Sequence, residues 1–472
     1  MDGKNLKKYC LFLAITLLTG LFIVIFSKQL ITIFTKKDPI IKIEPKNSIE
    51  TNINILDAKQ ELESKETWIN VFVHGIISIV PVLSLKTMNY ISLDNLENTV
   101  YKEYVNNVRQ NPFFCLHEPK QEIGLKPVDP EKNNTKNSAN VIAKLFDMQF
   151  QNSTNYYYTF GWSGLMSNKE RYKDAKKFYL ALSEELKKFH EKGIYPKIRL
   201  IGFSHGGSTC LFIAKVIKDE KLPIIFNIDE LILLGTPILE ETKKLVTEPV
   251  FKKIYNFYSG SDRVQILDFS QENAHFSRRK FRSTKNSKIN NNLLQIKLEV
   301  LRPVKNKNGK IIEPVKWEKS PARHSVGIRK NSPGHCEWWF LQYTNTFYRN
   351  TFALSPLPIL AFIPTIINSL NNNEFEPNKT KLFGNQINLK IRPFEYYMEI
   401  ESDKNKIKLD FLSRDKFNLF KDIIYKLNFE KTTKKMYNDM VSKELNKAKI
   451  KIKNYTKNQE KIKKLEKKQA RK

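Results

Sequence analysis

The sequence predicts an α/β fold: a mostly parallel sheet with helices on both faces, preceded by one N-terminal transmembrane helix. Three observations carry this. Between Trp68 and Asp262, apolar runs of strand length alternate with amphipathic stretches of helix length, and the runs are continuously apolar, as strands buried on both faces require. Glycine is scarce, 16 residues in 472, yet Gly75, Gly161, Gly164, Gly202, Gly206, Gly207, Gly235 and Gly260 stand at or near the ends of these runs. Near the start, Lys4, Lys7 and Lys8 precede an unbroken apolar run from Cys10 to Phe26.

As a helix, that run spans roughly 25 Å at about 1.5 Å per residue, just short of a bilayer core unless it continues to Phe34. No small-x-small cleavage site follows it, Ser27 and Lys28 standing there instead, so residues 1–34 read as an uncleaved membrane anchor. A signal peptide, which would make the protein secreted, is the competing reading. Lysines flank the run on both sides and leave the sidedness open. Residues 35–66 are polar and read as a stalk.

The main domain is expected over residues 67–350. Strands are expected at 68–76, 156–164, 197–204, 228–238, 252–262 and 293–301, with helices at Asn168–His190 and 206–220 and a closing helix over Glu337–Asn350. Residues 77–153 far exceed an ordinary connection and read as a lid-like insert. Residues 353–370 are strongly apolar but broken by Pro356, Pro358 and Pro364, which suits a packed connector or a membrane-facing flap better than a second spanning helix. Residues 351–430 are then a C-terminal extension and 431–472 a lysine-rich tail.

With 41% hydrophobic and 12% aromatic residues, the chain is neither fibrous nor largely disordered. Its net charge of +31, from 80 basic and 49 acidic residues, ordinarily points to an acidic partner. Nucleic acid is disfavoured here, because most of the basic residues are Lys rather than phosphate-forking Arg. The tail alone supplies 12 of the 31 charges, with 16 Lys or Arg against Asp439, Glu444, Glu460 and Glu466. Its apolar residues Met436, Met440, Leu445, Ile450, Ile452, Ile462 and Leu465 follow no sustained heptad. The tail is therefore expected to form a helix on an anionic lipid surface, dispensable for any chemistry, rather than to pack in a core. Cys10, Cys115, Cys210 and Cys336 are too few and scattered for a disulfide scaffold, and no C-x-x-C, metal-ligand spacing or phosphate-binding glycine loop occurs, so no metal or cofactor is expected.

The strongest chemical signal is Gly202-Phe203-Ser204-His205-Gly206-Gly207, a G-x-S-x-G between an apolar strand and an apolar helix. A serine at so sharp a turn is held in a strained conformation, and the residues two before and two after it must lack Cβ for strand and helix to pass closely. With VFVHG at 71–75 and LLGTP at 233–237 in the same order, residues 68–345 resemble the lipase-like branch of the α/β-hydrolase family. The resemblance implies a serine esterase with Ser204 as nucleophile. It also implies an oxyanion hole from the backbone N–H groups of Ile76 and His205, shaped by His74 and Gly75, with Gly202 and Gly206 as structural glycines. The family's order of nucleophile, acid and base points to Asp262, with Asp268 near it, and to His335, with His324 and His275 as alternatives. The family's usual first two strands have no counterpart before Trp68, and residues 371–472 lie outside the resemblance. The expected function is hydrolysis of carboxylic esters, lipid esters in particular; a tethered scaffold or adaptor with a degenerate core and a basic, anion-binding tail is the rival from another class.

Overall fold

The computed structural model describes residues 65–77, 89–91, 93–132, 137–266, 277–283, 291–313, 315–319, 333–341, 352–427 and 434–470. The anchor and nearly all of the stalk lie outside these residues. Among the described residues no helix is long and apolar enough to cross a membrane.

Strand β1 (Glu66–Val73) is buried from Ile69 onward because neighbours flank it on both edges and helices cover both faces. It pairs in parallel with β3 (Ser153–Gly161) on one side and β4 (Lys197–Phe203) on the other. Beyond β4 follow β5 (Ile228–Leu234), β6 (Phe251–Tyr258) and β7 (Leu293–Pro303), each parallel to its predecessor. The chain runs from β1 outward to β3 and then returns across β1 to β4. Strand order therefore reverses at β1, and in open parallel sheets the crevice at such a reversal, outside the carboxyl ends, is where ligands bind. Val73 stands opposite Gly202, Phe203 opposite Leu234 and Leu234 opposite Phe257, so four strands end level.

Alternation along these strands separates two cores. Ile69, Val71, Val73, Ile198 and Leu200 pack with α3 (Asn168–His190) and α4 (His205–Asp219). Phe72, Ile201 and Phe203 pack on the other side with α2 (Ser138–Asp147), α5 (Ile363–Asn372) and α6 (Arg414–Tyr425). Helix α3 starts at a Ser-x-x-Glu cap in which Ser167 accepts from the Glu170 N–H at 3.0 Å. It buries Ala175, Phe178, Leu182, Leu186 and Phe189, while Leu180, about 200° around the helix from Phe178, faces solvent. The same buried stripe holds two charged residues, Arg171 and Asp174.

The lid reading of 77–153 is corrected in its described parts. These contain α1 (Val100–Gln110), a 3₁₀ turn (Pro112–Leu116), an edge strand β2 (Gly124–Val128) antiparallel to β3, and α2, whose Ile142, Ala143, Leu145 and Phe146 are wholly buried. Burial of α2 against the sheet and the pairing of β2 make these parts of the segment scaffold. Residues 353–370 are the packed connector rather than a flap. Leu354, Leu357, Ile359 to Ile363, Ile366 and Ile367 are fully buried, and Pro364 sits in the first turn of α5, where no helical N–H is needed. Position 350 is not a domain boundary either: in the extension, β8 (Gly384–Arg392) joins β7 in parallel, and β9 (Tyr397–Glu401) and β10 (Lys406–Asp410) continue the same sheet. A buried polar chain ties the two parts. Arg199 of β4 donates to Asn70 (2.9 Å) and Glu230 (2.5 Å), and Glu230 accepts from Asn371 at the end of α5 (3.1 Å). Of the expected closing helix, the described residues show a 3₁₀ turn, Cys336–Trp338.

The tail reading is corrected as well. Helix α7 (Lys434–Gln469) lays Tyr437, Met440, Val441, Leu445 and the fully buried Ala448 into a small core with Tyr101, Tyr104, Val105 and Val108 of α1. Asn111 and Asn107 of the α1 end donate to the Glu444 carboxylate (3.1 Å) and carbonyl (3.2 Å), and Lys451 pairs with Glu103 at 2.7 Å. The apolar spacing looked irregular because Tyr437, Val441 and Ala448 complete it. Beyond Lys453 the helix is exposed except at Gln459. Ala448→Asp should therefore lower the unfolding free energy in urea by about 3 kcal/mol, through an unpaired buried carboxylate, whereas Lys457→Asp should change it by less than about 0.5. Equal effects would mean that α7 is not part of the fold.

Candidate active site

Ser204 occupies the single step between β4 and α4 with φ 51° and ψ −129°, a conformation that costs a non-glycine residue about 1–3 kcal/mol. Bonds on both sides hold it: its N–H donates to Leu234 O (2.9 Å) and its carbonyl accepts from Gly207 N (3.0 Å). The turn is closed so tightly that a Cβ on Gly202 would stand 2.5 Å from Gly207 Cα, and one on Gly206 would stand 2.3 Å from the His74 carbonyl oxygen. Backbone lies at both contacts, so neither position has room for a side chain.

Ser204 Oγ lies 3.0 Å from His335 Nε2, and His335 Nδ1 lies 2.9 Å from Asp262 Oδ2. Because a carboxylate only accepts, Nδ1 carries the ring proton and Nε2 accepts from the serine hydroxyl. Asp262, fully buried after β6, accepts two further bonds: from Gln265 N at Oδ1 (3.0 Å) and from Trp338 Nε1 at Oδ2 (3.1 Å). Arg279 grips its main-chain carbonyl through Nε (3.0 Å) and Nη2 (2.7 Å). Phe203 forms a shelf for His335, its ring 4.8 Å from the imidazole and stacked on Trp339 at 5.4 Å. Of the alternatives, Asp268, His275 and His324 lie outside the described residues. The three expected residues are thus in one hydrogen-bonded line, and such a line can make a hydroxyl nucleophilic and return the proton to a leaving group.

His205 opens α4, so its N–H stands at the positive end of the helix. Its side chain turns away from the serine, and Nδ1 accepts from Arg171 Nη1 (2.7 Å); Arg171 also bonds Asn168 Oδ1. On the other side of the elbow, Gly75 and Ile76 follow β1, and a Cβ on Gly75 would stand 3.1 Å from Ser204 Cβ. His74 is buried and stacks on Trp162, whose Nε1 donates to the His74 carbonyl at 2.7 Å. Burial, together with the Arg109 and Lys120 cations, holds its imidazole well below the usual range and therefore neutral.

Sequence reasoning missed Arg109, Arg171, Trp338 and Gln265. Trp338 was visible three residues after His335, but nothing in the sequence says that an indole N–H would face a carboxylate. Buried Arg171 carries a faint signal, a charge at the core phase of an amphipathic helix. Among the described residues no group of His, Cys, Asp and Glu could hold a metal ion. Compared with known proteins, the chain matches no family model and no curated sequence.

A second buried imidazole, His117, is pushed down to about 3 by burial and by Lys120. Both histidines are neutral in the fold, whereas the unfolded chain takes up protons below about 6.5, so stability is full above that pH and falls with acid at about 1.4 kcal/mol per pH unit for each. Urea unfolding between pH 7 and 4.5 should show this fall, and His117→Gln should make it shallower by about one histidine's share. An unchanged slope in that variant would refute the assignment.

Proposed function

We propose that this chain is a serine hydrolase of the α/β-hydrolase type that cleaves carboxylic esters through an acyl-enzyme. One observation carries the reading: the Ser204–His335–Asp262 line, with contacts of 3.0 and 2.9 Å, begins on a serine strained at a strand-to-helix turn. Structural needs alone do not call for such a residue, since a glycine would make the same turn without strain.

In this mechanism Ser204 Oγ attacks the ester carbonyl while His335 Nε2 takes its proton. Asp262 fixes the imidazole by its Nδ1–H and stabilises the imidazolium. The N–H groups of Ile76 and His205 receive the oxyanion, each worth about 3 kcal/mol in the transition state. The alcohol leaves with the proton from His335, and water enters by the reverse route. A thioester or amide would meet the same groups. Lipid esters are the favoured substrates, supported by the resemblance to lipase-like enzymes and by the apolar run Cys10–Phe26, which we read as a single-pass anchor. The rival adaptor reading would rely on the exposed lysines of α7.

Ser204→Ala should abolish hydrolysis of a short-chain aryl ester and labelling by a fluorophosphonate while leaving the thermal transition intact. His335→Ala should lose as much, because these residues act as a unit. More than a trace of activity in the serine variant would remove Ser204 as nucleophile. An inert wild type would favour the adaptor.

A further inference from the structure

Beside the elbow stands a buried cation that the proposed reaction does not use. Arg109, in the last turn of α1, is 4% exposed, and its Nη2 lies 2.5 Å from His74 Nε2. A guanidinium only donates, so Nε2 must accept and the ring proton of His74 sits on Nδ1. That Nδ1–H donates to the Gly75 carbonyl at 2.6 Å. The Gly75–Ile76 peptide is trans and planar, so fixing its carbonyl turns the Ile76 N–H to the opposite edge of the same plane. Stacking on Trp162 and the bond from Trp162 Nε1 to the His74 carbonyl hold ring and backbone together.

From these contacts we infer that Arg109 is a positioning residue of the oxyanion hole: it holds His74 in the Nδ1–H form, and His74 thereby aims the Ile76 N–H. The inference rests on the hydrolase reading. Packing alone does not account for a cation at this place. A buried guanidinium is costly, a methionine would fill similar space, and Arg109 Nε has no hydrogen-bond partner among the described residues. Glu118 and Asp174 favour the charge through space, but the hydrogen on Nη2 goes to the imidazole. Neutral His74 is therefore polarised from behind, and its Nδ1–H is a firmer donor to Gly75.

The test compares wild type with Arg109→Met, His74→Phe and the double variant on a short-chain aryl ester and its thiono analogue, in which C=S replaces C=O. Arg109→Met should lower kcat on the oxoester by about 100-fold with KM nearly unchanged, since an oxyanion donor acts only as charge develops. The thionoester, a poor acceptor of such bonds, should lose far less. His74→Phe should do the same, and the double variant should lose no more than either single one, because the two act in series. The double variant leaves no buried charge facing an apolar ring, so it keeps the test open if a single variant fails to fold. Equal losses on both substrates, or losses that multiply in the double variant, would overturn the inference and leave the hydrolase reading standing. A wild type inert towards both esters and a fluorophosphonate would overturn the hydrolase reading and the oxyanion role with it. Independently of activity, a long-range proton–nitrogen spectrum should show wild-type His74 protonated at Nδ1; protonation at Nε2 would break the link to Arg109.

Discussion

Ser204 has to sit where β4 becomes α4 with no intervening loop, and its backbone is strained there at φ 51°. Strain persists only where the surroundings over-determine it. Here they do: β4 is central in the sheet, α4 is buried along most of its length, and the Leu234 carbonyl and Gly207 N–H pin the residue from both sides. The level ending of β1, β4, β5 and β6 follows from the same requirement, because the loops that bring His74, Asp262 and the glycine contacts must start within a few ångströms of the serine. A sheet covered on both faces is the rigid base that such a turn needs.

Three histidines lie close to Ser204, and their neighbours assign them different work. His335 faces a carboxylate that is itself held by an indole N–H and a main-chain N–H. His74 and His205 each accept from a buried guanidinium, of Arg109 and Arg171, and at His74 burial together with that cation keeps the imidazole neutral. One imidazole is thereby oriented by an acceptor, while two are held by donors. The separation does not depend on sequence distance, since His205 is next to Ser204 and His335 is 131 residues away.

Much of this was legible in the sequence. Continuous apolar runs marked the parallel strands, and the crowding of scarce glycines around Ser204 marked the elbow, because close backbone approach leaves so few residue choices. Asp262 and His335 were expected from the order in the family that the chain resembles, which left His324 and His275 open as alternatives. Arg109 and Trp338 were not, since their contacts join elements distant in the chain and no local pattern encodes them. The misreadings share a cause. The insert and the tail were judged by length and charge, which describe exposed surface well, whereas α2 and α7 are placed by burial against partners far away in the chain.

The seating of α1 by α7 joins residues 337 positions apart, Asn107 to Glu444, far less local than the pairing of β1 with β4. Closing so long a loop adds little to the equilibrium cost, because that cost grows only with the logarithm of length, but contacts of this range form slowly. The order of events during folding is then set by topology. Sheet and elbow can assemble from the middle of the chain, while the helix that carries Arg109 gains the last of its packing only when a distant segment arrives. In the proposed enzyme the nucleophile would be in place before its oxyanion support, so the onset of activity would report completion of the fold rather than formation of the active serine.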